Sequence, residues 1–214
     1  MVKDIDPTGD SRPEWITELN GEVVFRATVN ANIELWKSNG TDAGTEIVKD
    51  INCYDFANFN GEVYFAGNDG SGSGSELWKT DGTTTGTVLL KDLNAGSSLR
   101  HLSAFGNALY FGFVFDEGLW QSDGTDEGTF PLFPVQPKNP LVAFNGSYYF
   151  SGKNDVTENG LFKFAANEND LIANAWEIDC TGGPYYGSTN LATPDVLGNC
   201  MQNGLTDTLG VWFK

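Results

Sequence analysis

The sequence predicts an all-β chain: a β-propeller-like array of about four four-stranded blades, followed by an incomplete β-sandwich segment. Three observations carry the first part: a 42-residue period, paired turn signals within each period, and strands that are apolar on consecutive residues. The period is set by Glu34-Leu35-Trp36-Lys37, Glu76-Leu77-Trp78-Lys79, Gly118-Leu119-Trp120-Gln121 and Gly160-Leu161-Phe162-Lys163. Behind the first three stand Asn39-Gly40-Thr41, Asp81-Gly82-Thr83 and Asp123-Gly124-Thr125, each followed by Gly-Thr at 44, 86 and 128. Self-similarity at such a period is the signature of a repeat architecture.

The remaining strands follow from two further recurrences. Lys3-Asp4-Ile5 returns as Lys49-Asp50-Ile51 and Lys91-Asp92-Leu93, and in degenerate form as Pro131-Leu132-Phe133. The run from Leu19-Asn20-Gly21 to Phe25 returns from Phe59-Asn60-Gly61 to Phe65, from Phe105-Gly106-Asn107 to Phe111, and from Phe144-Asn145-Gly146 to Phe150. Asn-Gly between two apolar runs supplies the positive φ of a tight hairpin, which separates strands one and two. The Asp-Gly-Thr turn separates strands three and four. Strands such as Glu62-Val63-Tyr64-Phe65 lack polar alternation, so both faces must be covered, as in stacked blades. The repeated Trp36, Trp78 and Trp120, with Phe162 in the fourth copy, read as blade packing, and Gly40, Gly82 and Gly124 as turn residues. Trp15, outside the repeat, reads as exposed.

Strand-four copies fall near residues 3, 49, 91 and 133, so the fourth blade has none of its own. Either Val2-Lys3-Asp4-Ile5 fills that place and clasps the ring shut, or the blades are cut from a larger ring. The interrupted chain ends favour the second. The repeats span 1–166, a linker 167–173, and the partial β-sandwich 174–214. Cys180 and Cys200 are candidates for one disulfide, with two unpaired small hydrophobes as the alternative; Cys53 is then packed or free.

Twenty-nine acidic residues against 12 basic ones give a net charge of -17, which disfavours nucleic acid and anionic membrane surfaces as partners. No apolar run reaches the roughly 20 residues that cross a bilayer, so no membrane insertion is expected. A hydrolytic triad is disfavoured because the sole histidine, His101, has no nucleophile motif around it. A glycosidase needs only two opposed carboxylates. The arginine cluster of propeller sialidases is not suggested by Arg12, Arg26 and Arg100, which occupy unlike repeat positions. Zinc spacing is absent. The weak calcium candidates are Asp42, Asp81, Asp123 and Asp126; turn chemistry explains the same residues without an ion. Asn39 and Asn145 match glycosylation acceptors and also serve as turn residues.

Glu76-Leu77-Trp78-Lys79-Thr80-Asp81-Gly82-Thr83 with Gly86-Thr87 and Lys91-Asp92-Leu93 resembles the ELWxxDGT repeat of bacterial surface and secreted proteins, over about residues 2 to 164. The segment from Asn174 to Lys214, with Cys180 and Cys200, is similar to the opening half of a prepeptidase C-terminal or CUB-like β-sandwich. The resemblance implies a modular, extracellular or cell-surface protein exported by the type IX route, with no established activity attached to the repeat. The expected function is therefore a noncatalytic binding or adhesion module for a glycan or a protein, joined to other domains of a longer chain. A structural spacer and a propeller-type glycoside hydrolase are the alternatives, and no cofactor beyond calcium is expected.

Overall fold

The computed structural model describes residues 1–72, 74–93, 97–114, 118–154 and 159–165. The linker at 167–173, the segment 174–214 and the Cys180/Cys200 pair lie outside the described residues, which hold strands and no helix. Blade one is the antiparallel meander β1 (Glu14–Leu19), β2 (Glu22–Val29), β3 (Asn32–Ser38) and β4 (Thr45–Lys49). Blade two repeats it with β5 (Asn52–Phe59), β6 (Glu62–Asn68), β7 (Gly74–Thr80) and β8 (Val88–Lys91). Blade three does so with β9 (Ser97–Phe105), β10 (Ala108–Phe113), β11 (Leu119–Ser122) and β12 (Thr129–Phe133). A short parallel pairing of β7 with β9 at Gly74 and Ser97 links blades two and three. In blade four, β13 (Gln136–Pro137) and β14 (Val142–Phe144) share one edge of β15 (Ser147–Lys153), and β16 (Gly160–Ala165) takes the other.

The hairpins have the backbone their residues demand. Asn20 and Gly21, Asn60 and Gly61, and Asn145 and Gly146 all have positive φ, as a two-residue type I′ turn requires. Asn30 and Ala31 form a further hairpin between β2 and β3, with φ of 49° and 68°. Alanine is a poor residue for that conformation, and nothing in the local sequence announces the turn.

Cross-strand partners share a face, so the register divides each blade in two. One face bears Phe25 beside Trp36, Phe65 beside Trp78, Phe111 beside Trp120, and Phe150 beside Phe162. Leu35, Leu77 and Leu161 lie on the opposite face of their blades, as do Tyr64, Tyr110 and Tyr149. The core consists of these unlike faces meeting across each junction. Leu35 packs with Phe65 and Trp78; Tyr64 and Leu77 pack with Phe111 and Phe113; Tyr110 and Leu119 pack with Tyr148, Phe150 and Phe164. Trp78 is buried, Trp120 stacks on Phe111 at 6.2 Å, and Trp36 is half-buried with its Nε1 donating to Glu34 Oε2 at 2.9 Å. In the fourth copy Phe162 stacks on Phe150 at 5.6 Å. Each such leucine contributes about 1.5–3 kcal/mol by leaving water.

A polar contact locks successive blades at the strand-four position. Lys91 Nζ of blade two donates to Asp126 O of blade three at 2.7 Å and lies 3.0 Å from Asp126 Oδ1. Between blades one and two, Thr84 stands where the acid would be and donates through Oγ1 to Val48 O at 3.0 Å, while Lys49 lies 5.4 Å from the Trp78 ring centroid. Lys3 holds Asp42 of blade one, at 3.2 Å to its carbonyl and 3.4 Å to Oδ1, as Lys91 holds Asp126. Val2–Ile5 therefore lies against blade one in the place of a preceding strand four. It forms no strand and is not paired with β16, so the clasp expected as one alternative is not what the described residues form.

Candidate functional site

The Asp-Gly-Thr turns are self-contained hydrogen-bond units. Asp81 Oδ1 accepts from Thr83 N at 2.8 Å and from Thr83 Oγ1 at 2.7 Å, and Asn39 and Asp123 bind Thr41 and Thr125 in the same way. Gly86 N donates to Thr83 Oγ1 at 2.9 Å, and Thr87 Oγ1 donates to Thr83 O at 2.6 Å. At the end of β7, Thr80 Oγ1 meets Thr87 Oγ1 at 2.7 Å and accepts from Gly82 N at 3.0 Å. The hydrogen bonds from Thr83 hold the Asp81 carboxyl below its ordinary value. The second glycine has a steric cause: a Cβ at Gly44, Gly86 or Gly128 would lie 2.1, 2.1 or 2.0 Å from Oδ1 of Asn39, Asp81 or Asp123. Gly40, Gly82 and Gly124 all have positive φ, and a Cβ on Gly124 would also meet Tyr64 Oη of the preceding blade at 2.6 Å.

These turns account for the calcium candidates. Asp81 and Asp123 bind their own turns, whereas Asp42 and Asp126 pair with Lys3 and Lys91. The four lie in three different blades, and among the described residues no three acidic, His or Cys side chains gather around one point. The arginines are likewise dispersed: Arg12 pairs with Asp10, Arg26 with Glu14, and Arg100 lies over the Tyr54 ring at 4.2 Å. An open cleft formed by Asp6, Thr8, Asp10, Arg12, Thr28 and Asn30 lies beside blade one. Its buried Asp6 carboxylate accepts from Thr8 N and Oγ1 and from Asn30 N, and these bonds hold its carboxyl below the ordinary value.

A different cluster emerges along the first strands. These approach one another, β1 with β5 and β5 with β9, while Ile47 on β4 and Val88 and Leu89 on β8 are exposed. The first strands thus line the inner side of the array and the fourth strands its rim. Each of the first three inner strands is interrupted by a register shift against its neighbour, between Glu14 and Thr17, between Tyr54 and Ala57, and opposite Tyr110 and Gly112. The first two interruptions include Trp15 and Asp55, and the third includes His101; their φ values are 58°, 59° and 63°. Each stands four residues before the strand end at Leu19, Phe59 or Phe105. A left-handed L-residue costs about 1–2 kcal/mol, and such strain clusters where side chains must be re-aimed for a site. In blade four the matching residue is Pro140, whose ring fixes a negative φ, and the strand divides into β13 and β14 instead.

The residue after each bend plugs the junction behind it: Phe56 packs on Phe65 at 5.4 Å, and Leu102 and Leu141 are buried. Ile16, the same position in blade one, is 63% exposed beside Trp15, itself 45% exposed. Bonds from blade to blade fix this inner edge. Asn58 Nδ2 donates to Glu18 O at 2.7 Å, His101 N donates to Asp55 Oδ2 at 2.5 Å, and Leu141 N donates to Ser103 Oγ at 3.2 Å. Burial raises the Asp55 carboxyl, opposed by the N–H groups of Leu102 and His101. Burial also lowers the His101 imidazole, opposed by the Asp55 charge. The inner edge thus offers an exposed apolar pair at Trp15 and Ile16, the cation–aromatic contact of Arg100 with Tyr54, and the bond from the His101 backbone N–H to the Asp55 carboxylate. Asp55 and Tyr54 carry no motif, and the one available signal is that unlike residues occupy a matching position of a repeat.

No protein-family model matches the chain, and no curated protein sequence matches it. Solved structures do match. Puromycin hydrolase has a TM-score of 0.53 at 12% identity, over 72% of this chain and 26% of that one. A mutant of puromycin hydrolase complexed with PGG gives 0.53 at 11% identity, over 72% and 27%. A structure from a study of two prolyl endopeptidases gives 0.50 at 12% identity, over 74% and 26%. The chain spans about a quarter of the length of these solved chains, and at such identity the likeness extends to the fold: an all-β array of propeller type.

Proposed function

We propose that this chain is a noncatalytic recognition module of an extracellular or cell-surface protein, binding a glycan or a protein along the inner edge of its blades. The observation that carries the reading is the row of left-handed first-strand residues, Trp15, Asp55 and His101, with Trp15 and Ile16 open to solvent. Strain of this kind has no packing gain at Trp15, where the side chain is exposed; a bound partner supplies one. A carbohydrate fits best, because an indole face takes the apolar face of a sugar ring while Arg100 and the neighbouring backbone groups supply hydrogen bonds. The acidic charge disfavours anionic partners.

The test is binding of the full chain to a glycan and extracellular-protein array, repeated with Trp15→Ala and with calcium removed. The expected result is binding that survives chelation and is lost in Trp15→Ala, with unfolding unchanged to within about 1 kcal/mol for a half-exposed side chain. Binding retained in that variant, or a blank array with folded protein, refutes the reading and favours a structural spacer. The hydrolase reading rests on the buried Asp55 carboxyl, which burial raises, as a candidate acid; its bond from His101 is made by the backbone N–H and not by the imidazole. This reading requires turnover of a glycosidic or peptide substrate that Asp55→Asn abolishes.

A further inference from the structure

We infer that the outward face of blade four is a packing surface and that residues 166–214 of this same chain cover it. The repeat itself supplies the argument. Leu35, Leu77 and Leu119 are 0% exposed under the next blade, yet Leu161, the same repeat position, is 78% exposed. Val142 and Phe144, both 61% exposed, lie beside it, and Phe144 meets Tyr149 at 6.2 Å. Val142 is the Cα partner of Tyr149, and Tyr149 of Lys163, so strands β14, β15 and β16 all contribute to one apolar face. Every other face of this kind meets an aromatic surface on the following blade.

Position, length, composition and charge all point to residues 166–214. The segment follows Ala165 at the end of β16, on the edge strand of this sheet. Its 49 residues exceed one 42-residue repeat and include Trp176, Trp212 and Phe213, the residue types that cover the other faces. It carries six acidic residues and one lysine. Lys163 on the exposed face is the repeat counterpart of Lys37 and Lys79, which pair with Glu46 at 3.2 Å and Glu62 at 2.9 Å; it has no ion partner among the described residues. Covering this face with the chain's own segment protects it without a second subunit and gives the lysine an acidic neighbour.

The experiment places the photocrosslinking residue p-benzoylphenylalanine at Leu161 of the full chain, with the same probe at Val88 on the exposed rim as reference. After irradiation, digestion and mass spectrometry, the expected result is an intrachain product from Leu161 to peptides within 166–214, in several-fold greater yield than from Val88. A product joining two chains, a product confined to residues 1–165, or a yield no greater than the Val88 reference overturns the inference. A wild-type urea unfolding midpoint, together with protection of the buried Cys53 thiol, reports that each variant is folded. If the Leu161 variant loses that protection, the probe at Val142 on the same face gives the decision by the same criteria.

Discussion

Gly86→Ala tests whether the Asp-Gly-Thr turn works as a closed hydrogen-bond unit. Gly86 is not in the left-handed region, so its constraint is purely one of space: the new Cβ would lie 2.1 Å from Asp81 Oδ1 and 2.2 Å from Asp81 Cγ. The carboxylate must swing away and release both Thr83 N and Thr83 Oγ1. Two such hydrogen bonds contribute about 1–3 kcal/mol, toward the lower figure because the turn is exposed. Alanine offsets about 0.4–1 kcal/mol by restricting the unfolded chain. A net loss of about 1 kcal/mol follows, read as a lower urea midpoint with unchanged slope, or a fall of about 2–4 °C in Tm. The decisive comparison is Gly86→Ala in an Asp81→Ala background, where the obstruction is gone and the change becomes stabilising by about 0.5 kcal/mol. The resulting interaction energy is about 1.5 kcal/mol. If the two substitutions are simply additive, the steric account of the second glycine is wrong.

Ala31→Gly should stabilise the chain by about 0.5–1 kcal/mol, since relief of the left-handed alanine exceeds the added freedom of the unfolded glycine; urea unfolding checks it, and any loss counts against the strain. Asp55 has a folded-state pKa raised above its unfolded value of 3.8, so its contribution to stability increases as pH falls through the folded pKa and is least favourable above it. Unfolding measured from neutral pH down toward 4 should therefore show the wild type gaining on Asp55→Asn; a difference that stays constant across this window contradicts the shift. Burial pushes the Cys53 thiol up to about 12, within the cluster of Leu35, Phe65 and Trp78. Peptide-mapped alkylation of Cys53 should run roughly a thousandfold slower than in denaturant if opening costs about 4 kcal/mol, and fast native labelling would show that this junction opens locally.

The sequence is most legible where one residue type does one local job. Asn20-Gly21, Asp81-Gly82-Thr83 and the Trp78 repeat announce their backbone or burial directly, and the all-β, propeller-like array follows from their spacing. The inner edge was less legible because its geometry lies in the backbone: Trp15, Asp55 and His101 share a left-handed φ but no chemistry. The division of blade four's first strand was hidden for the opposite reason. Pro140 is visible, but its significance emerges only once the bend in the other three blades is known. The place of Val2–Ile5 depended on which blade Lys3 would meet, a contact separated by 39 positions from Asp42 that periodicity alone leaves open.

The turn that joins strands three and four has a kinetic consequence. Its bonds among Thr80, Asp81, Gly82, Thr83, Gly86 and Thr87 close within seven residues, so it can form before any two blades touch. Short closures lose little chain entropy, and all-β folds are ordinarily slowed by long ones. Three copies of such a turn give the chain three independent starting points, from which a blade can complete itself and then recruit its neighbour. A chain of this kind should fold by growth from any copy, and disabling one turn should reroute assembly to another rather than halt it.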